Sequence, residues 1–210
     1  MQTNHCTIFS LPLHRLDPAA HTKNKQALIK RFCREVQYAV ADGVCVFSIA
    51  LCAGTSLWLA EEIIRLRNTN FPQIALHVYI PYETQANDWD EAIRETYYDI
   101  QAEADEVFLL AKKWSSGVLH QQNQALLKAA GRLIVIHDGI LGGFSDKLYA
   151  YSERKGIEAQ VIELFEGPKI PRHLMQSFVL HTAYYESKSQ VRSIYFDGLS
   201  KGKSASNSAW

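Results

Sequence analysis

One feature limits the folds open to this chain more than any other. Short apolar runs rich in β-branched and aromatic residues recur along it, each separated from the next by a segment of helical periodicity. The runs are CTIF at 6–9, VCVFSIA at 44–50, IALHVYI at 74–80, EVFLLA at 106–111, RLIVIH at 132–137 and AQVIEL at 159–164. Between the first two, Leu28, Phe32, Val36 and Val40, backed by Ile29 and Cys33, share one helical face and predict a helix over 23–41 that Asp42-Gly43 stops. Further helices are expected over 56–67, 88–103, 117–130 and 145–155. Strands joined through helices need crossover connections, which are right-handed and place helices on both faces of a parallel sheet. The expected fold is therefore α/β, a Rossmann-like three-layer sandwich with a mostly parallel sheet.

Composition agrees with a folded core: 47% of residues are hydrophobic and 21% charged, which excludes disorder for most of the chain. Twenty-two basic residues balance 22 acidic ones, so no net positive field favours nucleic acid, and no nucleic-acid partner is expected. Residues 43–60 carry no charge over about the length of a minimal membrane span. Ser48, Gly54, Thr55 and Ser56 interrupt that stretch and its period changes halfway, so strand, turn and helix is the expected reading, with no membrane association. Cys6, Cys33, Cys45 and Cys52 show no CxxC spacing and are expected to be reduced thiols of a cytoplasmic protein. The segment MQTNHCTIFS lacks a basic region ahead of a long apolar core, which argues against secretion.

The alternation ends at 164. The expected organisation is one domain over 1–164, a C-terminal extension over 165–200 and a disordered tail over 201–210, where KGKSASNSAW is small and polar. Within the extension, a helix over 173–186 carries Leu174, Phe178, Val179, Ala183, Tyr184 and Tyr185, a stripe that needs a partner surface within the subunit or across a dimer. A homo-oligomer is the expectation, and 190–196 reads as an edge strand.

In open parallel sheets, ligands bind beyond the carboxyl ends of the strands, where helix N-termini begin. After the second strand stand Gly54, Thr55 and Ser56, whose amides and hydroxyls suit a phosphate, or whose hydroxyls simply cap the helix. After the third strand, Pro81, Glu83, Gln85 and Trp89 share a loop that either clasps a base or ribose or forms a capping turn, with Asn87 or Asp88 as cap and Trp89 as packing. After the fifth, Asp138, Gly139, Gly142, Gly143 and Ser145 allow positive φ and close approach of backbone to ligand. Glu83, Asp138 and Asp146 are the candidates for acid–base catalysis; each would serve equally to cap a helix or bind a ribose. His137 reads as a core or rim histidine, and the histidines are too scattered for metal spacing, so neither metal nor cofactor is expected. Neither a GK[ST] phosphate loop nor GxGxxG after the first strand is present, and no GxSxG nucleophile elbow occurs.

Taken in order, these turns resemble a known family. FSIALCAGTSLWLAEEI is similar to the strand, small-residue turn and Trp/Ala/Glu helix of the YpsA-like (DUF1273) branch of the SLOG superfamily. Pro81, Gln85, Trp89, Tyr97, Ala104-Asp105, Asn123, Asp138-Gly139 and Gly142-Gly143 follow at that family's spacing, over roughly 6–164. The resemblance implies a fold shared with the lysine-decarboxylase-like phosphoribohydrolases and DprA, and a nucleotide-derived ligand. For some members it implies cleavage of N-glycosidic bonds. It also implies Asn123 as a further ligand-binding residue.

The chain departs from the family pattern at several points. Ala50 stands for a glycine, Ser56 for an acidic residue, Gln122-Asn123 for Arg-Asn, and Gly142-Gly143-Phe144-Ser145 for Gly-Gly-Gly-Thr. The Thr-Gly-His-Arg-Pro element is distorted into SLPLHRL, with His14 and Arg15 displaced. These losses remove charge stabilisation and close backbone approach together, which weakens hydrolysis more than binding. The expected function is a sensor, sequestering protein or regulator that binds a nucleotide-derived small molecule. The alternatives are an N-glycosidic hydrolase and a degenerate scaffold acting through protein contacts.

Overall fold

The computed structural model describes residues 4–11, 21–137 and 143–164, all within one unit, Met1–Phe165. The order is β1 (His5–Phe9), α1 (His21–Ala41), β2 (Val46–Ala50), α2 (Thr55–Thr69), β3 (Ala75–Tyr82), α3 (Glu91–Glu103), β4 (Glu106–Ala111), α4 (Val118–Ala129), β5 (Arg132–His137), α5 (Phe144–Lys155) and β6 (Glu158–Glu163). The helix, edge strand and tail expected beyond 164 lie outside the described residues.

The six strands form one sheet in the order β4-β3-β2-β1-β5-β6, and every pair is parallel. From β1 the chain steps in one direction through β2 and β3 to β4, then returns past β1 to add β5 and β6 on its other side. With right-handed crossovers, a reversal of direction sends the next helices to the opposite face, and the packing follows that rule. Leu28, Phe32 and Val36 of α1, Leu59 and Ile63 of α2, and Tyr97 and Ile100 of α3 share a core with Cys6, Ile8, Phe47, Ile49, Leu76, Val78 and Ile134. Leu126 of α4 and Leu148 of α5 form a smaller core with Phe9, Tyr79, Leu133 and Val135. This is the Rossmann-like three-layer arrangement.

Local chemistry sets the element ends. Gly43 takes φ 90° after α1, which lets its N–H reach Val40 O at 3.0 Å and the Val44 N–H reach Ala39 O at 2.9 Å. The uncharged stretch resolves into β2, a turn and α2. Among the described residues no helix is long and apolar enough to cross a membrane. Two expectations need correction. β3 continues to Tyr82, so Pro81 lies in the strand and not in the loop after it. α3 begins at Glu91 with Asp90 as its cap, in place of Asn87 or Asp88; the Asp90 side chain accepts the Ala92 N–H at 3.1 Å.

Candidate functional site

Because every strand is parallel, the turns after β1, β2, β3, β4 and β5 all open on one edge of the sheet. The reversal of strand order lies between β1 and β5, and that crevice is where a ligand of such a sheet sits.

At this edge α2, α4 and α5 start at Gly54, Gly117 and Gly143, and none of the three has a side-chain cap. Without a capping side chain, first-turn amides not bonded elsewhere can receive an anion, and the helix dipole favours negative charge there. The first amide of α2, Thr55 N–H, and that of α4, Val118 N–H, are already taken, by Leu11 O at 2.9 Å and Ser115 O at 3.2 Å. α3 differs, since Asp90 occupies its N-terminus. α5 carries Asp146 in its first turn, whereas α2 and α4 have no acidic residue there. An incoming anion is therefore better received at α2 or α4 than at α5.

The hydroxyls singled out by sequence are engaged in local structure. Thr55 Oγ1 accepts the Leu11 N–H at 2.8 Å and donates to Leu11 O at 3.1 Å, while the Thr55 N–H also reaches Leu11 O at 2.9 Å, stitching the exit of β1 to α2. Ser56 Oγ accepts the Cys52 N–H at 2.9 Å and donates to Cys52 O at 2.7 Å. Ser145 Oγ donates to Ile136 O at 3.1 Å and anchors α5 to β5. What these turns offer a ligand is backbone. Gly54 is buried and extended, with φ 163° and ψ −153°, and Gly143, at φ −68° and ψ −175°, does not use the positive φ open to glycine.

The loop after β3 is largely structural as well. Tyr79 accepts the Leu51 N–H and Ala75 donates to Cys45 O, so the ladder between β2 and β3 would next bring the N–H of residue 81 to Leu51 O. Residue 81 is proline and has no N–H to give. Gln85 Nε2 donates to Leu51 O at 3.1 Å and to Tyr97 Oη at 3.0 Å, supplying the missing donor from a side chain. Trp89 packs edge-on against Tyr97, ring centroids 5.1 Å apart. Glu83 is the exposed member of this set. Asp105, one of the family-spaced residues, lies at the start of β4 on the opposite edge, where its Oδ2 accepts the Leu76 N–H at 2.8 Å and Arg67 Nη1 at 2.7 Å.

On α4, Gln122 is buried and donates to Tyr79 O at 2.8 Å, while the half-buried Asn123 adjoins it. His137 is the buried last residue of β5. Asp138, Gly139 and Gly142 lie outside the described residues.

Two contributors were not expected from sequence. Gly117 adds the third uncapped helix start. Phe9, at the end of β1, meets Phe144 edge to face with centroids 6.0 Å apart, leaving Phe144 49% exposed beside the switch point. The signal for Phe9 was in the strand pattern, but its contact with Phe144 joins residues far apart in sequence. Burial pushes the Cys52 thiol up, with hydrogen bonds from Ser56 and Ser10 opposing, so it is not an activated thiolate. Among the described residues no group of three or more His, Cys, Asp and Glu is arranged to hold a metal ion.

The model of the YspA SLOG family, YpsA, matches residues 19–166. A UPF0398 protein of Halalkalibacterium halodurans is 32% identical over 135 residues, which is 63% of this chain and 71% of the relative. A UPF0398 protein of Shouchella clausii is 32% identical over 87 residues, 40% of this chain and 46% of that protein. One from Bacillus cereus is 26% identical over 133 residues, 62% and 72% of the two chains. The matched span runs from α1 to β6 and takes in the turns after β2, β3, β4 and β5, while β1 precedes it, and the chain belongs to the YpsA-like SLOG family.

Proposed function

We propose that this protein binds a nucleotide-derived small molecule in the crevice between the ends of β1 and β5 and acts as a sensor, sequestering protein or regulator. One observation carries the reading: three helices begin at glycines without side-chain caps on the edge of the sheet where strand order reverses. The phosphate goes to α2, whose start is tied to the exit of β1 through Thr55 and Leu11 and which has no acidic residue in its first turn. Phe144, propped by Phe9, offers an aromatic face to a base. The free cysteines Cys6, Cys33, Cys45 and Cys52 suit a reducing compartment, the cytoplasm.

Among the described candidate carboxylates, placement favours binding over hydrolysis. Glu83 follows β3 and Asp146 follows β5, three strand positions away, or about 14 Å of sheet width. Paired carboxylates in glycoside hydrolysis stand about 5–9.5 Å apart.

Calorimetric titration with a panel of nucleoside monophosphates and diphosphates tests the reading. The native chain should bind at least one, and Gly54→Asp should give a flat trace with native circular dichroism, because Asp is a good helix cap that denies the same amides to an anion. Unchanged affinity in that variant would place the ligand elsewhere. Release of a free base during incubation, followed by chromatography, would establish the hydrolase in its place, and binding of none of the panel would favour a scaffold.

A further inference from the structure

The two edges of the sheet are made of opposite material. β6 shows solvent Glu158, Gln160 and Glu163. β4 shows Glu106 and then Val107, Phe108 and Leu109, which are 42%, 37% and 47% exposed. Edge strands are normally blunted by charge, proline or a bulge. β4 has no proline and no charge after Glu106, and its register with β3 runs evenly from His77↔Glu106 to Tyr82↔Ala111.

Its free backbone groups can be identified. Ala75 donates to Cys45 O and Tyr79 O accepts the Leu51 N–H, so the odd-numbered residues of β3 bond to β2 and its even-numbered ones face β4. With His77 level with Glu106 and Tyr79 level with Phe108, Glu106 and Phe108 are the residues of β4 that bond to β3. In a parallel ladder the alternate residues then turn both N–H and C=O outward, here Val107 and Leu109.

We propose that β4 pairs antiparallel with β4 of a second copy about a two-fold axis at Leu109, continuing the sheet from one subunit into the other. This goes beyond the proposed ligand binding and does not depend on it. A two-fold axis perpendicular to the sheet keeps each residue on its own face, so odd-numbered residues must oppose odd-numbered ones, which is also what the outward backbone groups require. Among registers of that kind, the axis at Leu109 sets Glu106 opposite Lys112 of the second copy, twice by symmetry, with Phe108 opposite Leu110 and Val107 opposite Ala111. An axis at Phe108 would set Glu106 against Leu110, and one at Leu110 would set Lys112 against Phe108. The acidic start and basic end of EVFLLAKK therefore suit a second copy of the same strand, through cross-strand pairs of opposite charge flanking an apolar centre.

Sedimentation of the full chain across a dilution series tests the interface. A reversible dimer is expected, abolished by Leu109→Arg with native circular dichroism. Glu106→Lys and Lys112→Glu should each weaken it about tenfold by placing like charges opposite one another, and the double variant Glu106→Lys/Lys112→Glu should restore it. A monomer at every concentration would overturn the proposal, as would a dimer indifferent to Leu109→Arg or a folded double variant that stays weakened. A monomer whose β4 amides resist hydrogen exchange would also overturn it and assign the cover to residues 165–210 of the same chain.

Discussion

The two faces of this sheet are built to different rules. Against α1, α2 and α3 the strands present Cys6, Ile8, Phe47, Ile49, Leu76, Val78 and Ile134, an apolar surface with Arg132 at its margin, paired to Asp42 and Glu158. Against α4 and α5 the same strands present His5, Thr7, Ser48, His77 and Tyr79 along with Phe9, Leu133 and Val135. Most of those polar groups are joined within the layer: His5 Nε2 hydrogen-bonds to Ser48 Oγ, Ser48 also bonds to Tyr79, and Thr7 Oγ1 donates to Leu126 O at 3.1 Å, while His77 meets the rings of His5 and Phe108. Three helices cover the first face and two the second. The difference teaches that stability comes mainly from the first face, while the second holds its register through hydrogen bonds that are costly to break and sensitive to protonation.

The largest effect should come from the apolar face. Phe47→Ala removes a fully buried ring and is expected to cost about 3–5 kcal/mol in urea unfolding. Ser48→Ala on the other face strands His5 and Tyr79 together, for a loss of about 1–3 kcal/mol. Should Ser48→Ala prove as damaging as Phe47→Ala, the contrast between the faces would fail. Thr7→Val keeps the shape and removes one buried hydrogen bond, for about 1 kcal/mol by the same measurement.

Acid should act through the polar face alone. Burial lowers the His5 pKa, helped by His77, and burial lowers that of His77 against the opposing pull of Glu106 and Asp105. A histidine whose folded pKa lies below its unfolded value of about 6.5 takes up a proton on unfolding, so its contribution to stability is full above that value and declines as pH falls beneath it. Thermal unfolding from pH 7.5 downward should show the melting temperature dropping below about pH 6.5. The drop should be shallower in His77→Phe and unaltered in Phe47→Leu. An equal slope in His77→Phe would show that other groups govern the acid response.

The smallest effect is expected from removing the C-terminal extension. We place the domain boundary near 164, and a chain ending at Gly167 should keep native circular dichroism and, with β4 as the interface, the same dimeric state in solution. Failure to fold would extend the domain into the tail.

Much of the fold was legible because strands of a parallel sheet are buried on both faces and read as continuous apolar runs; β5, at RLIVIH, was found to the residue. That rule also hid something. EVFLLA looks like RLIVIH, yet β4 is an edge and exposed, since strand order is a tertiary property that a local run does not encode. The start of α3 was misread because Asn87, Asp88 and Asp90 are all good caps, and only geometry selects Asp90. At the candidate site the glycine turns were legible as helix starts. The employment of Gln85, Thr55 and Ser145 was not, because their partners Leu51, Leu11 and Ile136 come from other strands or their exits.

The central claim is that the uncapped helix starts at the carboxyl edge hold a nucleotide-derived ligand. Native mass spectrometry of freshly purified protein, run beside Gly54→Asp prepared identically, tests it most directly. The account predicts a bound species of nucleotide mass on the native chain that is absent from the variant. A native chain that carries no such species, and whose melting temperature no nucleotide raises, would contradict it.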